Sequence, residues 1–249
     1  MPCLLPSDKE RFGVKVVSRI LGRTPSLSSD ILLYNSANGE LLALINADWI
    51  TSMRTGAVAT LAIKTLRSSS ARKYSFIGLG NTARATLLCL LSSFPDEIFQ
   101  VVLFRYKDQA EYFIDYFRTF GNVVFSVVDT MEELVEDADV LVSCITDADG
   151  LLIGNDALFK PGILLVPVHT RGFQNCDLFF DKVFADDTEH VRSFRYFNQF
   201  KWFNEIGDVL DGTCRGREND KERILSYNIG LGLHDVFFAS NIYDMITNR

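Results

Sequence analysis

The stretch Tyr74-Ser75-Phe76-Ile77-Gly78-Leu79-Gly80-Asn81-Thr82-Ala83 decides the fold. A short apolar strand, Tyr74–Ile77, runs into two glycines, and the chain then reads as a helix from Thr82 to Leu91. In such a β-α turn Gly78 permits the tight bend and Gly80 lets the backbone approach a pyrophosphate. Ala83 is small enough for the helix to pack closely on the strand. The helix start at Asn81, Thr82 and Ala83 offers unpaired N–H groups and the positive end of the helix dipole to phosphates. The G-x-G-x-x-A pattern by itself also fits an ordinary glycine-rich turn; its place between a strand and a helix is what raises it.

Downstream, Val101–Phe104, Val123–Val127, Val140–Cys144 and Ile163–Val168 read as further strands. Helical stretches over about 108–120 and 131–137 alternate with them, which is the signature of a parallel sheet. The second strand ends in Arg105-Tyr106-Lys107, where an Asp or Glu would bind the ribose 2′-hydroxyl of NAD. A cation there suits the 2′-phosphate of NADP, and an aromatic or guanidinium plane can cover adenine. The alternative is a solvated pair of surface charges. The sequence favours NADP(H) over NAD(H).

Upstream, Val14–Val17 is a short strand, and Ile31–Tyr34 and Leu41–Ile45 flank the hairpin turn Asn38-Gly39. Ile50, Met53, Ala57 and Leu61 recur at helical spacing after Asp48, which predicts a helix over about 48–66. The first ten residues read as irregular, 207–220 as a long loop, and 221–246 as a last helix. The expectation is an α/β chain. A Rossmann-type parallel sheet occupies 66–221, and a smaller β-rich substrate and dimerisation domain is built from 1–65 and 222–249.

Composition sets the bounds. With 47% apolar and 23% charged residues among 249, the chain can bury a core. A net charge of −7 argues against nucleic acid as the main partner. The halves differ, +4 over 1–125 and −11 over 126–249, so an anionic ligand suits the first. Five cysteines without a C-x-x-C pair and three scattered histidines give no metal-site spacing. No long apolar run or signal peptide is visible, so no membrane span is expected and the reading is cytoplasmic. Neither Tyr-x-x-x-Lys nor G-x-S-x-G occurs, which disfavours a short-chain dehydrogenase and a serine hydrolase.

Four stretches resemble the ornithine cyclodeaminase/mu-crystallin family: Gly13-Val14-Lys15-Val16-Val17, Ile50-Thr51-Ser52-Met53-Arg54-Thr55-Gly56-Ala57, Gly78–Ala83, and a closing segment. The last comprises Glu205–Leu210, Gly216-Arg217 and Asn228-Ile229-Gly230 through Asp235. The resemblance implies a homodimer formed through the non-Rossmann domain, and hydride transfer between a nicotinamide and a carbon of a small amino or imino acid. It implies that Arg54 holds the substrate carboxylate and that Lys15 hydrogen-bonds the substrate and can move a proton. Thr146 would line the nicotinamide pocket. Read without the resemblance, Arg54 also fits a helix-surface ion pair, Lys15 an edge-strand charge, and Thr146 a loop cap.

Two departures bear on the chemistry. The given N-terminal region is shorter than the family's usual one, which includes another carboxylate-binding arginine, so the expectation is either a truncated chain or a reduced small domain. Where the cyclodeaminases carry a catalytic aspartate, this chain has Arg171, which cannot act as a base at neutral pH. Reduction of an imine or ketimine is therefore expected rather than ornithine cyclisation. His169 is then a candidate proton donor or a structural hydrogen-bonder, and Arg171 a second carboxylate partner. A non-catalytic NADPH-binding protein is the alternative.

Overall fold

The computed structural model describes residues 1–6, 9–20, 22–23, 27–145, 150–168 and 177–247. The chain divides into two compact units, 1–54 with 230–249, and 55–229.

The first unit grows from alternation. Strands β1 (Pro2–Leu4), β2 (Arg11–Arg19), β3 (Leu27–Asn35) and β4 (Leu41–Asn46) form an antiparallel sheet in chain order. Gly39 closes the β3–β4 hairpin at φ 75°, and the Asn35 and Asn38 side chains accept the N–H groups of Ala37 and Glu40. Every second residue of β3 turns inward: Ile31 and Leu33 are buried, with Val236 and Ala239 of the last helix in the same small cores. The pairs Phe12↔Tyr34, Val14↔Leu32 and Leu32↔Leu44 share the opposite face. There Phe12 and Tyr34 stack at 4.7 Å, while Val16 and Leu44 stand 56% and 70% exposed.

Helix α1 (Asp48–Leu66) begins in this unit and continues into the second. The second unit is an eight-stranded sheet, parallel throughout. Its first five strands are β5 (Lys73–Ile77), β6 (Phe99–Phe104), β7 (Val123–Val128), β8 (Val140–Ser143) and β9 (Leu164–Pro167). Then come β10 (Lys182–Ala185), β11 (Phe203–Glu205) and β12 (Ile224–Tyr227), in the spatial order β11-β10-β12-β9-β8-β5-β6-β7. Helices α2 (Asn81–Ser93), α3 (Gln109–Tyr116), α4 (Met131–Val135), α5 (Thr188–Val191) and α6 (Ile206–Leu210) join them. The strands read as nearly continuous apolar runs because both faces are covered. Phe76, Leu103 and Val142 enter one core with Ile63, Leu87 and Phe113, whereas Ile77, Val102 and Leu141 enter the other with Leu134.

Several expectations are corrected. Pro2–Leu4 is a strand paired with β2 rather than irregular chain. The last helix, α7, spans Gly232–Thr247; Ile224–Tyr227 is instead strand β12, lodged between β10 and β9. Four fully buried residues give no alternation to betray a strand, and Gly230, at φ 91°, separates it from the helix. Part of the expected 207–220 loop belongs to α6. Within that loop Arg217 donates to the backbone carbonyls of Leu66 and Glu222, closing the end of α1. By contact the units divide at 54/55, inside α1, and at 229/230, so that β12 falls with the large sheet.

The Arg-Thr-Gly-Ala element has a packing reason. Gly56 lies where α1 meets α2, and a Cβ there would come within 2.5 Å of the Ala85 carbonyl carbon. Close by, Thr60 Oγ1 donates to the Thr86 carbonyl. Gly56→Ala should lower the stability of the folded chain by about 1–3 kcal/mol, the usual cost of overpacking. A urea midpoint equal to that of the wild type would show that the helices part without cost.

Candidate functional site

In a doubly wound sheet a ligand crevice opens at the carboxyl ends of the strands, where the chain order reverses. Here β5 is that strand: β6 and β7 follow on one side, β8 and β9 on the other. Gly78 sits just past β5 at φ 79°, and a Cβ on it would lie 2.5 Å from the Cys144 carbonyl carbon beyond β8. The Gly80 N–H donates to the Gly78 carbonyl, tightening the turn. Around Gly80 itself, open space replaces protein atoms within 4 Å. Helix α2 starts there without a side-chain cap, so its first N–H groups face outward for a ligand. Ala83 is fully buried against the sheet.

A cleft of about 500 Å³ lies over this turn, lined by Gly78, Gly80, Phe104, Tyr106, Gln109 and Leu152 among others. The turn and the open ground above Gly80 fit a dinucleotide pyrophosphate, and the apolar lining fits a base. Tyr106 is half exposed, and Lys107, in the left-handed backbone region at φ 51°, holds its ammonium 5.2 Å from the Tyr106 ring centre. Arg105 is engaged otherwise: its Nε donates to Asp129 at 2.7 Å and its Nη1 to Glu111 at 2.9 Å. The sequence revealed Tyr106 but not Gln109 or Leu152, whose places depend on where a helix begins and a loop returns.

The other unit holds a buried ionic cluster. Lys15 on β2, Arg54 on α1 and Asp235 on α7 meet at one oxygen. Asp235 Oδ1 accepts from Lys15 Nζ at 2.8 Å and from Arg54 Nε at 2.9 Å. Lys15 is 2% exposed and Asp235 fully buried. Burial pushes the Lys15 ammonium below its ordinary value, against the pull of Asp235, and Arg54 adds to the push. Asp235 Oδ2 finds no hydrogen-bond partner among the described residues. Lys15 is therefore no edge-strand charge, since β2 lies between β1 and β3, and Arg54 is no helix-surface pair. Two contacts fix the start of α1 and thereby Arg54: Asp48 Oδ1 accepts the Ser29 N–H, and the Ser29 and Thr51 hydroxyls lie 2.8 Å apart. The Arg54 guanidinium lies across Gly230, in space that a Cβ would occupy.

Asp235 stood in the sequence only as the last residue of the closing segment, without a role, because inside the expected helix over 221–246 a lone carboxylate reads as part of a solvated face. Asp177 was missed as well. It is buried, accepts from the hydroxyl of Tyr227 at the carboxyl end of β12, and burial pushes its carboxyl up to about 6. Thr146, His169 and Arg171 lie outside the described residues. Among the described residues no cluster of His, Cys, Asp and Glu could hold a metal, and no helix is long and apolar enough to cross a membrane.

The model of the ornithine cyclodeaminase/mu-crystallin family matches residues 1–249. The chain belongs to that family. A Delta(1)-pyrroline-2-carboxylate reductase of Bacillus cereus is 27% identical over 256 residues, covering 94% of this chain and 77% of that one. A ketimine reductase mu-crystallin of Macropus fuliginosus is 25% identical over 230 residues, covering 88% and 70%. Among solved structures, an archaeal alanine dehydrogenase dimer with bound NAD superposes with a TM-score of 0.84 at 25% identity, over all of this chain and 81% of that one.

The two glycines of the turn should respond differently to a methyl group. Gly78→Ala meets backbone and a left-handed φ, so it should destabilise the chain and abolish dinucleotide binding together. Gly80→Ala meets open space, so its thermal midpoint should stay within a few degrees of wild type while dinucleotide affinity falls at least ~10-fold. Equal nucleotide affinity in folded Gly80→Ala would place the pyrophosphate elsewhere.

Proposed function

We propose that this protein is an NADP(H)-dependent oxidoreductase that reduces the C=N bond of a small carboxylated imine or ketimine to the amino acid. The buried Lys15–Asp235–Arg54 cluster carries the reading. Two cations gathered on one buried carboxylate present N–H donors away from water, which suits the carboxylate of a small substrate. Arg54 supplies the planar donor for that carboxylate. Asp235 Oδ2, a buried acceptor with no partner among the described residues, suits the N–H that the imine nitrogen carries once it has been protonated. Lys15 Nζ, whose proton is loosened by burial, passes it to the imine nitrogen, which makes the adjacent carbon electrophilic. The nicotinamide, when bound, supplies the hydride to that carbon.

In this reading the α2 amino end and Gly80 take the pyrophosphate, Tyr106 covers adenine, and Arg105 and Lys107 meet the 2′-phosphate. Thr146 beside the nicotinamide, His169 as a second proton donor and Arg171 as a second carboxylate partner belong to the same proposal. The relatives named above as reductases of a pyrroline carboxylate and of ketimines support the substrate class.

The test is NADPH oxidation by the purified protein with cyclic imine carboxylates and with keto acid plus amine. Arg54→Lys should raise KM for such substrates about 10-fold or more by losing the two-pronged contact. The alkaline limb of kcat/KM should lie below 10.5, the ordinary lysine value, because Lys15 must stay protonated and its pKa is lowered. Lys15→Arg should lose that limb along with most of the rate. Tight nucleotide binding without turnover on any imine would leave the non-catalytic NADPH-binding reading in its place.

The proposed assembly is a homodimer in which a second copy covers the outward sheet face bearing Val16, Leu32 and Leu44. Apolar side chains as exposed as Leu44, grouped on one sheet face, mark an interaction face. Leu44→Glu should convert the dimer to monomer in light scattering; an unchanged mass would remove this face from the interface.

A further inference from the structure

Arg105 follows β6, the strand beside the nucleotide turn, and its backbone N–H continues the ladder to the Val128 carbonyl of β7. Its side chain is clamped. Asp129, the first residue past β7, takes Nε at 2.7 Å, and Glu111, in the first turn of α3, takes Nη1 at 2.9 Å. Asp129 is itself held in place. Its backbone N–H donates to the Glu133 carboxylate, and the Thr130–Glu133 capping box fixes the start of α4 directly behind it. The result is one guanidinium facing two carboxylates, a net negative charge among these three side chains at the place proposed for the nucleotide's 2′ group, which distinguishes NADP from NAD. Lys107 is the cation nearest in sequence, and it lies over the Tyr106 ring.

The clamp acts oppositely on the two nucleotides. A 2′-phosphate carries nearly two negative charges, competes with Asp129 and Glu111 for Arg105, and is repelled by both. A ribose 2′-hydroxyl can donate a hydrogen bond to either carboxylate. All three side chains are about half exposed or more, so the ion pairs are weak enough to open for a stronger anion, at a cost that remains in the affinity. We propose that Asp129 and Glu111 are specificity-determining residues. By holding Arg105 they narrow the preference for NADP(H) and keep NAD(H) usable. This rests on the reading of the cleft as a nicotinamide dinucleotide site.

The experiment is a fluorescence titration of the intact protein with NADPH and NADH separately, for wild type, Asp129→Asn, Glu111→Gln, the double variant and Arg105→Ala. These are exposed surface changes that leave both cores intact. Each neutralised carboxylate should raise the ratio of the NADH to the NADPH Kd about fivefold, mainly by tightening NADPH, with the gain shrinking at high salt. Arg105→Ala should lower the ratio below wild type. If the variants bind both nucleotides at the wild-type ratio, or the ratio falls on removing Asp129 or Glu111, the clamp is overturned while the nucleotide site stands. If the wild type binds neither nucleotide, the reading of the cleft falls and the clamp with it.

Discussion

The ionic junction at Asp235 Oδ1 is the contact on which the smaller unit turns, because it joins three stretches that the chain keeps far apart. Lys15 arrives on a sheet strand, Arg54 early in the first long helix, and Asp235 on the last one. Burying three ionised groups is expensive, and hydrophobic replacements of similar shape are often as stable. The cluster is thus poorly explained as a source of stability. The proposed substrate site offers another explanation: an Asp235 Oδ2 that is buried with no partner among the described residues is what a structural ion pair would avoid. The constraint reaches outward from there. Gly230 must lack a side chain because the Arg54 guanidinium lies over it, and the Asp48 and Thr51 contacts must anchor the start of α1 so that Arg54 arrives in register.

In the larger unit the governing constraint is topological. Strand order reverses at β5, so the backbone leaving β5 has no crossover helix directly above it, and space opens over the turn. Gly78 and Gly80 serve this opening in different ways. The first resolves a collision with the strand-end backbone at Cys144; the second leaves vacant the ground above an uncapped helix. A helix of ordinary sequence would begin with Ser, Thr or Asp to satisfy its own N–H groups. Glycine at that place leaves them for another acceptor, which is why the same turn is mediocre as a helix cap and good as a phosphate cradle.

How far the sequence could be read follows from the range of the forces involved. The nucleotide turn, the Asn38-Gly39 hairpin and the whole of α1 rest on local backbone preference and near-neighbour periodicity, and they stand in the structure where expected. Strands β10, β11 and β12 were not seen. A short strand buried on both faces shows neither alternation nor a flanking helix repeat, so Ile224–Tyr227 merged with the apolar run of α7. Pro2–Leu4 was missed because its order comes from pairing with β2, a contact that composition does not announce. Site residues divide the same way. Lys15 and Arg54 were found through short motifs, whereas Asp235 and Asp177 become notable only through burial and partners supplied from elsewhere in the chain.

Arg105 shows the limit of residue identity as evidence. A cation after the second strand argues for NADP if its charge is available, and the sequence shows the cation but not the Asp129 and Glu111 carboxylates that hold it. Those carboxylates lie 24 and 6 positions away, on a neighbouring strand end and a following helix, and each alone reads as surface solvation. If the nucleotide's 2′ group binds there as proposed, the charge it meets belongs to the group of three, not to the arginine. In water-exposed surroundings such a group is tunable, because single charge changes alter affinity severalfold without touching the core.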